Sequence, residues 1–524
     1  MRQGLSEDLI ARVLGAAPKY TVAELEEKFP PRNLPDGAMV TRFAPSPTGF
    51  MHLGNLYSGL IDYKLAQQSN GVFMLRIEDT DTKREIKEAV GIVIDSLAKF
   101  GITYNNDETY GPYYQSKRRD IYHSVAAELL RDGRAYPCFL TQEEMDEIRE
   151  NQKAAGFATG IYGEFARDRD ISAEEIIKHL DNGEVPTIRM YSTGDPNKRI
   201  FFKDTVRGSI SVPENNEDIV LIKSTDRLPT YHFAHLCDDH FMRVTHVVRG
   251  EEYFGTVALH IQMFRMMGWQ LPNYIHTATL DKIDEETGKQ RKMSKRKDPE
   301  NNVAFFMQEG WPTDALIEYL GNILAPGYEE AKLKGAVKNF WEYEMKPKKI
   351  PMSGGLFDMK KLEWWAREYI GAMSVSDLVK SVTNWVNEYG DEKQKMQVAN
   401  IDYLTAVLSI ERDNPKRIRK DFITWKQTLE IEEFFWDELF VPNAEYKFNK
   451  DVLKAFLETF DIADDKDTWW NKLVAIASKL GIKNGDVAMD LRVALSGRTN
   501  TPDLYSIMQV MGGDRVIRRV KNAI

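Results

Sequence analysis

The chain has 524 residues, a net charge of -10 and a pI near 5.6, with 42% hydrophobic and 29% charged residues. This composition is ordinary for a soluble globular protein, and the length predicts roughly three or four domains. The acidic balance excludes a wholly basic DNA-coating protein. It remains compatible with a local basic face that binds phosphates.

The two cysteines, Cys138 and Cys237, do not belong to a C-x-x-C pair. We therefore expect neither a disulfide nor a zinc site built from thiolates. No apolar run approaches the length of a transmembrane helix, and the first residues are too polar for a signal peptide. These features predict a cytoplasmic enzyme that does not enter the membrane.

The first predicted elements are two short amphipathic helices within residues 5–30. The second helix opens on Thr21, and Glu24 follows three places later, which is a capping-box pattern. The Pro- and Gly-containing segment 30–37 then interrupts the chain. We interpret residues 1–38 as a helical N-terminal appendage.

A strand, a bend and a helix are predicted next. Residues 39–44 have the pattern of a strand, and a rigid bend at 43–55 (FAPSPTGFMHLGN) leads into an apolar-spaced helix. The nearly continuous apolar run at 71–79 is typical of a strand covered on both faces, and a second helix is expected over 86–100. This order indicates a parallel, doubly wound sheet.

The pattern changes twice further along the chain. Charged helical stretches alternate with short strands over 138–220, which we interpret as an inserted α+β domain. The sheet pattern returns with DIVLIK, PTYHFAHL, THVVRGEE and YIHTATL, and nearly every segment from about 346 onward is predicted to be helical. The sequence therefore predicts an α/β doubly wound, Rossmann-like catalytic domain in two halves, 39–137 and 221–345, with an insertion at 138–220 and an all-α region at 346–524.

The bend has the composition of an anion site. A strand that turns tightly into a helix presents unpaired N–H groups and the positive end of the helix dipole. Gly49 and Gly54 allow close backbone approach. Ser46, Thr48 and His52 can donate hydrogen bonds. This combination predicts a polyphosphate site without a Walker A motif, although an ordinary turn with an incidental histidine is the alternative.

A cationic segment, GKQRKMSKRKD at 288–298, follows the last strand of the second half of the sheet. It carries six cations between Lys289 and Lys297. A charge run of this kind is usually a solvated loop. In this position, however, a basic loop can close over phosphates that are bound at the bend.

The two segments together resemble a known family. HLGN resembles the HIGH signature, and KMSKR is similar to the second signature of class I aminoacyl-tRNA synthetases. TRFAPSPTG, LRIEDTD, GPYYQS, PTYHFA and THVVRGEE resemble the glutamyl-tRNA synthetase family. The tail at 491–512 is similar to the helical anticodon-binding end of its bacterial type. The resemblance extends from residue 39 to the end of the chain.

The resemblance implies ATP-dependent attachment of L-glutamate to tRNA(Glu) through a glutamyl-adenylate, with Mg²⁺ assisting and AMP and pyrophosphate released. It implies a monomer in which 138–220 binds the tRNA acceptor end, 221–345 includes the KMSKR loop and a stem-contact region, and 346–524 binds the anticodon. Candidate basic patches for tRNA are 346–349, 414–420 and 515–521, the last with the spacing of a packed helix.

The resemblance also implies roles for individual residues. The implied catalytic residues are His52, Lys292, Lys295 and Arg296. The implied ATP contacts are Ser46, Thr48, Gly49, His52, Gly54, Asn55, Glu252, Met293, Ser294 and Lys295. The implied glutamate contacts are Arg42, Ala44, Ser46, Glu78, Tyr231, His235 and Arg249. No protein ligands for a metal are implied.

Arginine suits a substrate with two carboxylates, because its planar fork binds both oxygens of a carboxylate. Arg42 and Arg249 are expected at the carboxyl ends of parallel strands, where ligands bind in such sheets. Glu78 would hold the α-ammonium, and Tyr231 would close the pocket. The structural alternatives are an ion pair for Arg42 and a helix cap for Glu78.

Three departures from the family pattern limit the resemblance. Asn55 stands where many synthetases keep histidine. The insertion has only Cys138 where some bacterial relatives carry a Cys-rich zinc knuckle, so we expect no structural zinc. The sequence reads YGEFAR at 162–167 where relatives carry Tyr-Asp-Gly-Arg, so the contacts of the insertion with the acceptor end are the part of the resemblance with the weakest support.

Three rival functions are compatible with parts of the pattern. A glutaminyl-tRNA synthetase is disfavoured by the bacterial-type helical tail, and a shorter paralogue that acts on a tRNA base is disfavoured by the length of that tail. A catalytically silent paralogue is disfavoured by His52, Lys292 and Lys295. Whether tRNA(Gln) is also a substrate is left open.

Overall fold

The computed structural model describes residues 3–47, 49–81, 88–294, 296–413 and 418–524. The chain forms two compact units. Unit 1 comprises Met1–Ala304 and Leu320–Phe357, and unit 2 comprises Phe305–Tyr319 and Asp358–Ile524. The domain boundaries that the sequence suggests within these units stay predictions.

Helices dominate the structure. In chain order they are α1 (Glu7–Leu14), α2 (Val22–Lys28), α3 (Leu53–Gln68), α4 (Ala89–Lys99), α5 (Arg119–Arg131), α6 (Gln142–Ala154), α7 (Ala173–Asp181), α8 (Tyr231–Phe241), α9 (Val257–Met267), α10 (Val303–Gln308), α11 (Thr313–Leu324), α12 (Tyr328–Leu333), α13 (Met359–Ala372), α14 (Val375–Tyr389), α15 (Glu392–Val398), α16 (Ile401–Leu408), α17 (Trp425–Ile431), α18 (Lys450–Thr459), α19 (Lys466–Leu480), α20 (Asn484–Ser496), α21 (Leu504–Met511) and α22 (Gly513–Asn522). In the part of the chain that the structure describes, no helix combines the length and apolar character needed to cross a bilayer.

The strands are short and lie in unit 1. In chain order they are β1 (Val40–Phe43), β2 (Val72–Leu75), β3 (Ala135–Cys138), β4 (Thr187–Met190), β5 (Arg199–Asp204), β6 (Gly208–Pro213), β7 (Val220–Ile222), β8 (His246–Gly250), β9 (Asn273–Thr277), β10 (Leu280–Ile283), β11 (Gln290–Lys292) and β12 (Gly355–Leu356).

Two parallel strand pairs lie at the centre of the α/β part of unit 1 as separate two-stranded sheets. β1 pairs with β2, with Arg42 opposite Met74, and β8 pairs with β9, with Arg249 opposite His276. The N–H of Thr245 donates to the Val40 carbonyl at 3.0 Å and links the two pairs. Because parallel strands need crossover helices, this arrangement fits the predicted α/β fold class.

One sequence prediction in this region is wrong. The segment PTYHFAHL does not continue the sheet, since Tyr231 opens α8 directly after the cap position Thr230. Most residues of α8 are buried, including Phe233, Ala234 and Leu236, so the helix lacks an exposed polar face. A buried helix of this kind cannot be told from a buried strand by its apolar pattern alone.

The N-terminal appendage folds as the sequence predicts. Thr21 begins α2 with a complete capping box. Its hydroxyl accepts the Glu24 N–H at 3.2 Å, and the Glu24 carboxylate accepts the Thr21 N–H at 2.7 Å. The apolar faces of α1 and α2 pack into the same core as α5 and α8, through residues such as Ile10 and Leu25.

The segment 138–220 contains the predicted helices and strands, but they do not alternate: α6 and α7 come first, and the antiparallel strands follow. β4 lies between β3 and β7, and β5 and β6 form a hairpin. A buried amide holds the loop after α6: Gln152 donates to the Gly160 carbonyl at 2.7 Å and accepts the Gly160 N–H at 2.9 Å. Arg169 and Asp218 form a two-point ion pair in the same region.

The described residues of unit 2 form helices and connecting loops, in agreement with the predicted all-α region. Buried side chains from successive helices share one core, among them Trp385, Leu404, Leu429 and Leu491. The predicted second helix of unit 1 is observed as α4, but Ile86, which the prediction included, lies outside the described residues.

Candidate active site

A cavity of about 350 Å³ opens at the carboxyl ends of β1 and β8. The N-terminus of α3, the segment after β2 and the start of α8 also contribute to its wall. The cavity brings together most of the residues that the sequence singled out. Those that line it are Arg42, Ala44, His52, Gly54, Asn55, Glu78, Tyr231, Arg249, Glu252, Lys292 and Met293.

His52 is the N-cap of α3, and this explains the unusual sequence of the bend. Its Nδ1 accepts the Asn55 N–H at 3.1 Å, and the Asn55 side-chain oxygen accepts the His52 N–H at 3.3 Å. A Cβ on Gly54 would come within 3.1 Å of the His52 ring, so any other residue there would require a small shift of that ring. Since Nδ1 is an acceptor, the proton of the neutral ring must reside on Nε2.

Arg42 enters the cavity from a buried ion-pair network. Its Nε donates to the Asp239 carboxylate at 3.2 Å, and Arg76 Nη1 donates to the same oxygen at 2.5 Å. Burial opposes the charged form of Asp239, yet Arg42 and Arg76 together lower the pKa of this carboxyl. Arg42 is therefore both an ion-pair partner and a wall of the cavity.

Two buried carboxyl groups, Glu78 and Asp62, line the cavity. Burial raises the pKa of Glu78 even though Arg76 lies 3.2 Å from it. Burial also raises the pKa of Asp62 well above its usual range, and Asp62 Oδ1 has no hydrogen-bond partner among the described residues. The wall thus holds Glu78 near a guanidinium and Asp62 without a partner for one oxygen.

Arg249 has different neighbours from Arg42. Its Nε donates to His276 Nε2 at 3.0 Å, and its Nη1 lies 3.0 Å from His260 Nδ1. The guanidinium carbon lies 4.8 Å from the centre of the Tyr274 ring. Within the described part of the chain, no carboxylate lies within ion-pair distance of Arg249. This cation is surrounded by neutral rings.

The KMSKR loop begins at β11, which pairs with β10 as a hairpin. The ammonium of Lys292 lies 3.5 Å from the carboxylate of Glu252, and both side chains line the cavity. Met293 is buried beside them. Asp298 accepts the Ser294 N–H at 2.8 Å and pairs with Arg291 at 2.7 Å, which anchors the loop at its far end.

The remaining predicted residues do not belong to the described lining of the cavity. Ser46, Ser294 and Arg296 lie on the segments beside it, and Gly49 has a φ of 152° that side chains rarely adopt. His235 is fully buried, with Nδ1 3.1 Å from the Asp239 carboxylate. Thr48, Lys295 and the patch at 414–417 lie outside the described residues.

Sequence reasoning missed several polar groups of the site. Asp62 and Ser58 line the cavity together with Asn55, and their spacing of three and four residues marks one face of α3. Asp239 follows Tyr231 and His235 at the same helical spacing on α8. A polar stripe on an otherwise apolar helix is the signal that identifies such residues.

The comparisons with known proteins agree with this architecture. Residues 38–364 match the family of class I tRNA synthetases (E and Q), catalytic domain, and residues 393–524 match an anticodon-binding domain. These two matches indicate the class: a class I tRNA synthetase with an α/β catalytic domain and a helical anticodon-binding region. The predicted fold class is confirmed.

The relatives narrow the class. The chain is 42% identical to the glutamate–tRNA ligase of Acetivibrio thermocellus, which covers 95% of both chains, and 42% identical to that of Clostridium perfringens strain 13, which covers 94% of this chain and 96% of the relative. The chain belongs to the glutamate–tRNA ligases, the enzymes that attach glutamate to tRNA.

A solved structure gives the same relationship at the level of the fold. The glutamate tRNA ligase from Elizabethkingia meningosepticum, crystallised in complex with its amino acid, superimposes with a TM-score of 0.75 at 26% identity. The match covers 93% of this chain and 99% of that one. The predicted enzyme class and overall reaction are confirmed, whereas the roles of individual residues stay predictions.

Proposed function

We propose that the cavity is the site where this chain activates L-glutamate with ATP and transfers it to tRNA through a glutamyl-adenylate. The observation that carries the proposal is the charge pattern of the wall. The guanidiniums of Arg42 and Arg249 and the carboxyl of Glu78 line the same space as the His52 end of α3, and the carboxyls of Asp62 and Glu252 also belong to this wall. Glutamate presents the complementary pattern of two carboxylates and one ammonium.

In this proposal each charge of glutamate meets one group of the wall. Arg42 and Arg249 bind the carboxylates, and Glu78 binds the α-ammonium, whose positive charge favours the ionised form of this buried carboxyl. Tyr231 covers the bound amino acid. His235 contacts the pocket through Tyr231, since the two ring centres lie 6.0 Å apart.

ATP binds at the bend in this proposal. The helix dipole of α3 and the Nε2–H of His52 favour phosphate oxygens at the N-terminus, and Glu252 lies on the same wall for the ribose. Ser46, Thr48, Gly49, Gly54 and Asn55 complete the nucleotide site. Lys292, Met293, Ser294, Lys295 and Arg296 supply the basic loop that stabilises the leaving pyrophosphate.

Mg²⁺ enters as part of the ATP substrate. Among the described residues, no group of three or more His, Cys, Asp or Glu side chains is arranged to hold a metal ion. Phosphate oxygens and water are the ligands that Mg²⁺ prefers when few protein carboxylates are present. The protein side of the site therefore supplies cations and dipoles.

The chemistry needs no strong protein base. The α-carboxylate of glutamate attacks the α-phosphorus of ATP and displaces pyrophosphate. A terminal adenosine hydroxyl of tRNA then attacks the activated carbonyl and displaces AMP. The nucleophile of the first step is already ionised, so catalysis consists of positioning and charge stabilisation. Lys292 and His52 are suited to these tasks.

The partners follow from the same proposal. Residues 138–220 bind the acceptor end of tRNA(Glu), 221–345 contact its stem, and 346–524 bind its anticodon. Lys346, Lys348 and Lys349 are exposed and form a basic patch, whereas Arg519 of the 515–521 patch is buried and pairs with Asp437. We propose a cytoplasmic monomer, which light scattering of the purified chain tests.

Aminoacylation of tRNA with labelled amino acid tests the proposal directly. The chain, ATP, Mg²⁺ and tRNA(Glu) should yield glutamyl-tRNA, and pyrophosphate exchange should depend on glutamate. Charging of glutamine instead would identify a glutaminyl-tRNA synthetase, and the absence of both reactions would identify a silent paralogue. A parallel reaction with tRNA(Gln) determines which tRNAs are accepted.

The metal content of the insertion has its own test. We expect well under one equivalent of zinc in protein purified without added zinc, because Cys138 is the one cysteine of the segment 138–220 and a structural zinc site needs four ligands. Stoichiometric zinc whose removal by a chelator abolishes charging would contradict this expectation.

A further inference from the structure

A continuous chain of side chains runs through Arg249. Asp204 accepts a hydrogen bond from His276 Nδ1 at 2.7 Å, and His276 Nε2 accepts one from Arg249 Nε at 3.0 Å. On the other side, Arg249 Nη1 lies 3.0 Å from His260 Nδ1, and His260 Nε2 lies 3.0 Å from His232 Nδ1. We refer to these five residues as the histidine chain.

The hydrogen bonds of this chain fix the proton positions on its rings. Arginine only donates, so the ring nitrogens that face Arg249 must both be acceptors. His276 then carries its proton on Nδ1, which the Asp204 carboxylate accepts. His260 carries its proton on Nε2, which His232 accepts. Each ring is therefore neutral and has one defined tautomer.

The environment favours these neutral rings. Burial, followed by His235 and Arg249, lowers the pKa of His260 well below its usual range, and burial and Arg249 lower that of His232 to about 4. Burial lowers the pKa of His276 despite its bond to Asp204. Imidazolium forms would place more positive charge beside Arg249. The charge of Arg249 therefore favours the same neutral rings that its hydrogen bonds require.

The histidine chain orients the guanidinium of Arg249 but provides no negative charge in contact with it. His276, His260 and Asp204 are all nearly or fully buried, and the carboxylate of Asp204 is separated from Arg249 by the ring of His276. Arg249 Nη2 is buried and has no hydrogen-bond partner among the described residues. A buried guanidinium with one open donor site is costly unless an anionic ligand completes it.

We propose that His276 and His260, held in their tautomers by Asp204 and His232, are positioning residues for Arg249. They keep its guanidinium as an uncompensated cation for the side-chain carboxylate of the substrate, the group that glutamine lacks, and thereby set the preference for glutamate over glutamine. This inference rests on the proposed function of the cavity. A carboxylate in place of either imidazole would orient Arg249 equally well, but it would compete with the substrate for the positive charge. A neutral acceptor orients the guanidinium and leaves its charge available.

Matched substitutions separate the acceptor nitrogen from the bulk of each ring. His260→Asn places an amide oxygen near the position of Nδ1, and His276→Gln places one near the position of Nε2, so both keep an acceptor for Arg249. His260→Leu and His276→Leu remove the acceptor and keep an apolar filling. Loss of a hydrogen bond to a charged group predicts a rise of about tenfold or more in the KM for glutamate in each leucine variant.

The readouts distinguish positioning from general damage. In the leucine variants we expect the KM for ATP and kcat to change less than about twofold, and the ratio of kcat/KM for glutamate over glutamine to fall with the KM effect. The Asn and Gln variants should recover most of the glutamate KM. Unchanged glutamate KM and selectivity in the leucine variants, or amide variants as weak as the leucine ones, would overturn the proposal.

A spectroscopic measurement covers the case in which a leucine variant does not fold. ¹⁵N-labelled histidine in the wild-type chain should show His276 protonated at Nδ1 and His260 protonated at Nε2, and His276 should keep its tautomer in Arg249→Gln because Asp204 still accepts its Nδ1–H. The opposite tautomers would overturn the proposal. If wild-type protein fails to charge tRNA with glutamate at all, the proposed function fails first, and that result is distinct from either outcome above.

Discussion

Arg42 and Arg249 line one cavity from β1 and β8, but their surroundings differ: a carboxylate pairs with Arg42, whereas neutral rings surround Arg249. Arg42 shares the Asp239 carboxylate with Arg76, so its charge is already balanced within the protein. Arg249 is held by two neutral imidazoles and an aromatic face. The wall therefore contains one arginine in an ion-pair network, Arg42, and one arginine without a carboxylate partner among the described residues, Arg249.

This difference shows how one pocket can combine a fixed geometry with discrimination between anionic and neutral ligands. A cation with a permanent partner contributes geometry and hydrogen bonds. Its contribution to the binding free energy changes little when a neutral ligand replaces an anionic one. A cation without a partner penalises a neutral ligand, because the buried charge then remains unbalanced. Substitutions at the two positions should therefore differ in their effect on folding.

The largest effect is expected for Arg42→Gln. This substitution removes one of two cations from Asp239, and loss of a buried ion-pair partner predicts a loss on the order of 3 kcal/mol in the free energy of unfolding. It should also raise the KM for glutamate strongly, but it should narrow the preference over glutamine less than Arg249→Gln does, because Asp239 already pairs with Arg42. Denaturant unfolding and steady-state charging measure the two effects. Wild-type glutamate affinity and selectivity in the variant would make Arg42 purely structural.

Arg249→Gln should weaken glutamate binding without a comparable loss of stability. No carboxylate of the described residues loses a partner, so the free energy of unfolding should change by less than about 1 kcal/mol. The KM for glutamate should rise by about tenfold or more, since a charged hydrogen bond to the substrate is lost. A destabilisation as large as that of Arg42→Gln would remove the contrast between the two sites.

Arg249→Lys separates charge from geometry at the open site. Lysine keeps the positive charge but not the planar fork that donates to both histidines. We expect a smaller rise in the KM for glutamate than in Arg249→Gln and a retained preference over glutamine. Charging assays with both amino acids measure this. Equal selectivity in the Lys and Gln variants would show that the charge of residue 249 does not discriminate between substrates.

The smallest effect concerns acid stability. Arg42 and Arg76 lower the pKa of Asp239 below that of the unfolded chain despite burial, so the unfolded state binds more protons in acid. The stabilisation from Asp239 is present above about pH 4 and is lost as the pH falls through its folded pKa. Asp239→Asn should be less stable at neutral pH and lose less stability between pH 5 and 3. If the wild-type chain and Asp239→Asn lose the same free energy of unfolding between pH 5 and 3, Asp239 is not the source of the acid sensitivity.

The sequence predicts the parts of this site that depend on local signals. Turn and cap chemistry in adjacent residues identifies the bend with His52 and Gly54, whereas the pocket roles of Arg42 and Arg249 follow from the resemblance to the synthetase family. Asp239 carries no comparable signal, since α8 is buried on nearly every side and its apolar pattern predicts a strand. Asp62 is identifiable only through the helical spacing of the polar residues Asn55, Ser58 and Asp62 on α3.

The partners of each arginine were beyond sequence analysis. His276 and His260 lie on β9 and α9, and Asp204 ends β5 in the segment predicted as an insertion. Separations of 72 residues between Asp204 and His276, and 11 between Arg249 and His260, are bridged only in the folded chain. Tautomers follow from these contacts and have no signature in the sequence.

The reciprocal cap between His52 and Asn55 sets a rule for mutational tolerance. Position 55 starts the helix by accepting the His52 N–H, so its requirement is a side-chain acceptor at the third helical position. A saturation library at this position should retain Asp, Glu and Gln, which supply such an acceptor, and reject Val, Ile and Leu, which do not. Tolerance at Asn55, the fourth residue of the HLGN segment, should therefore depend on helix initiation.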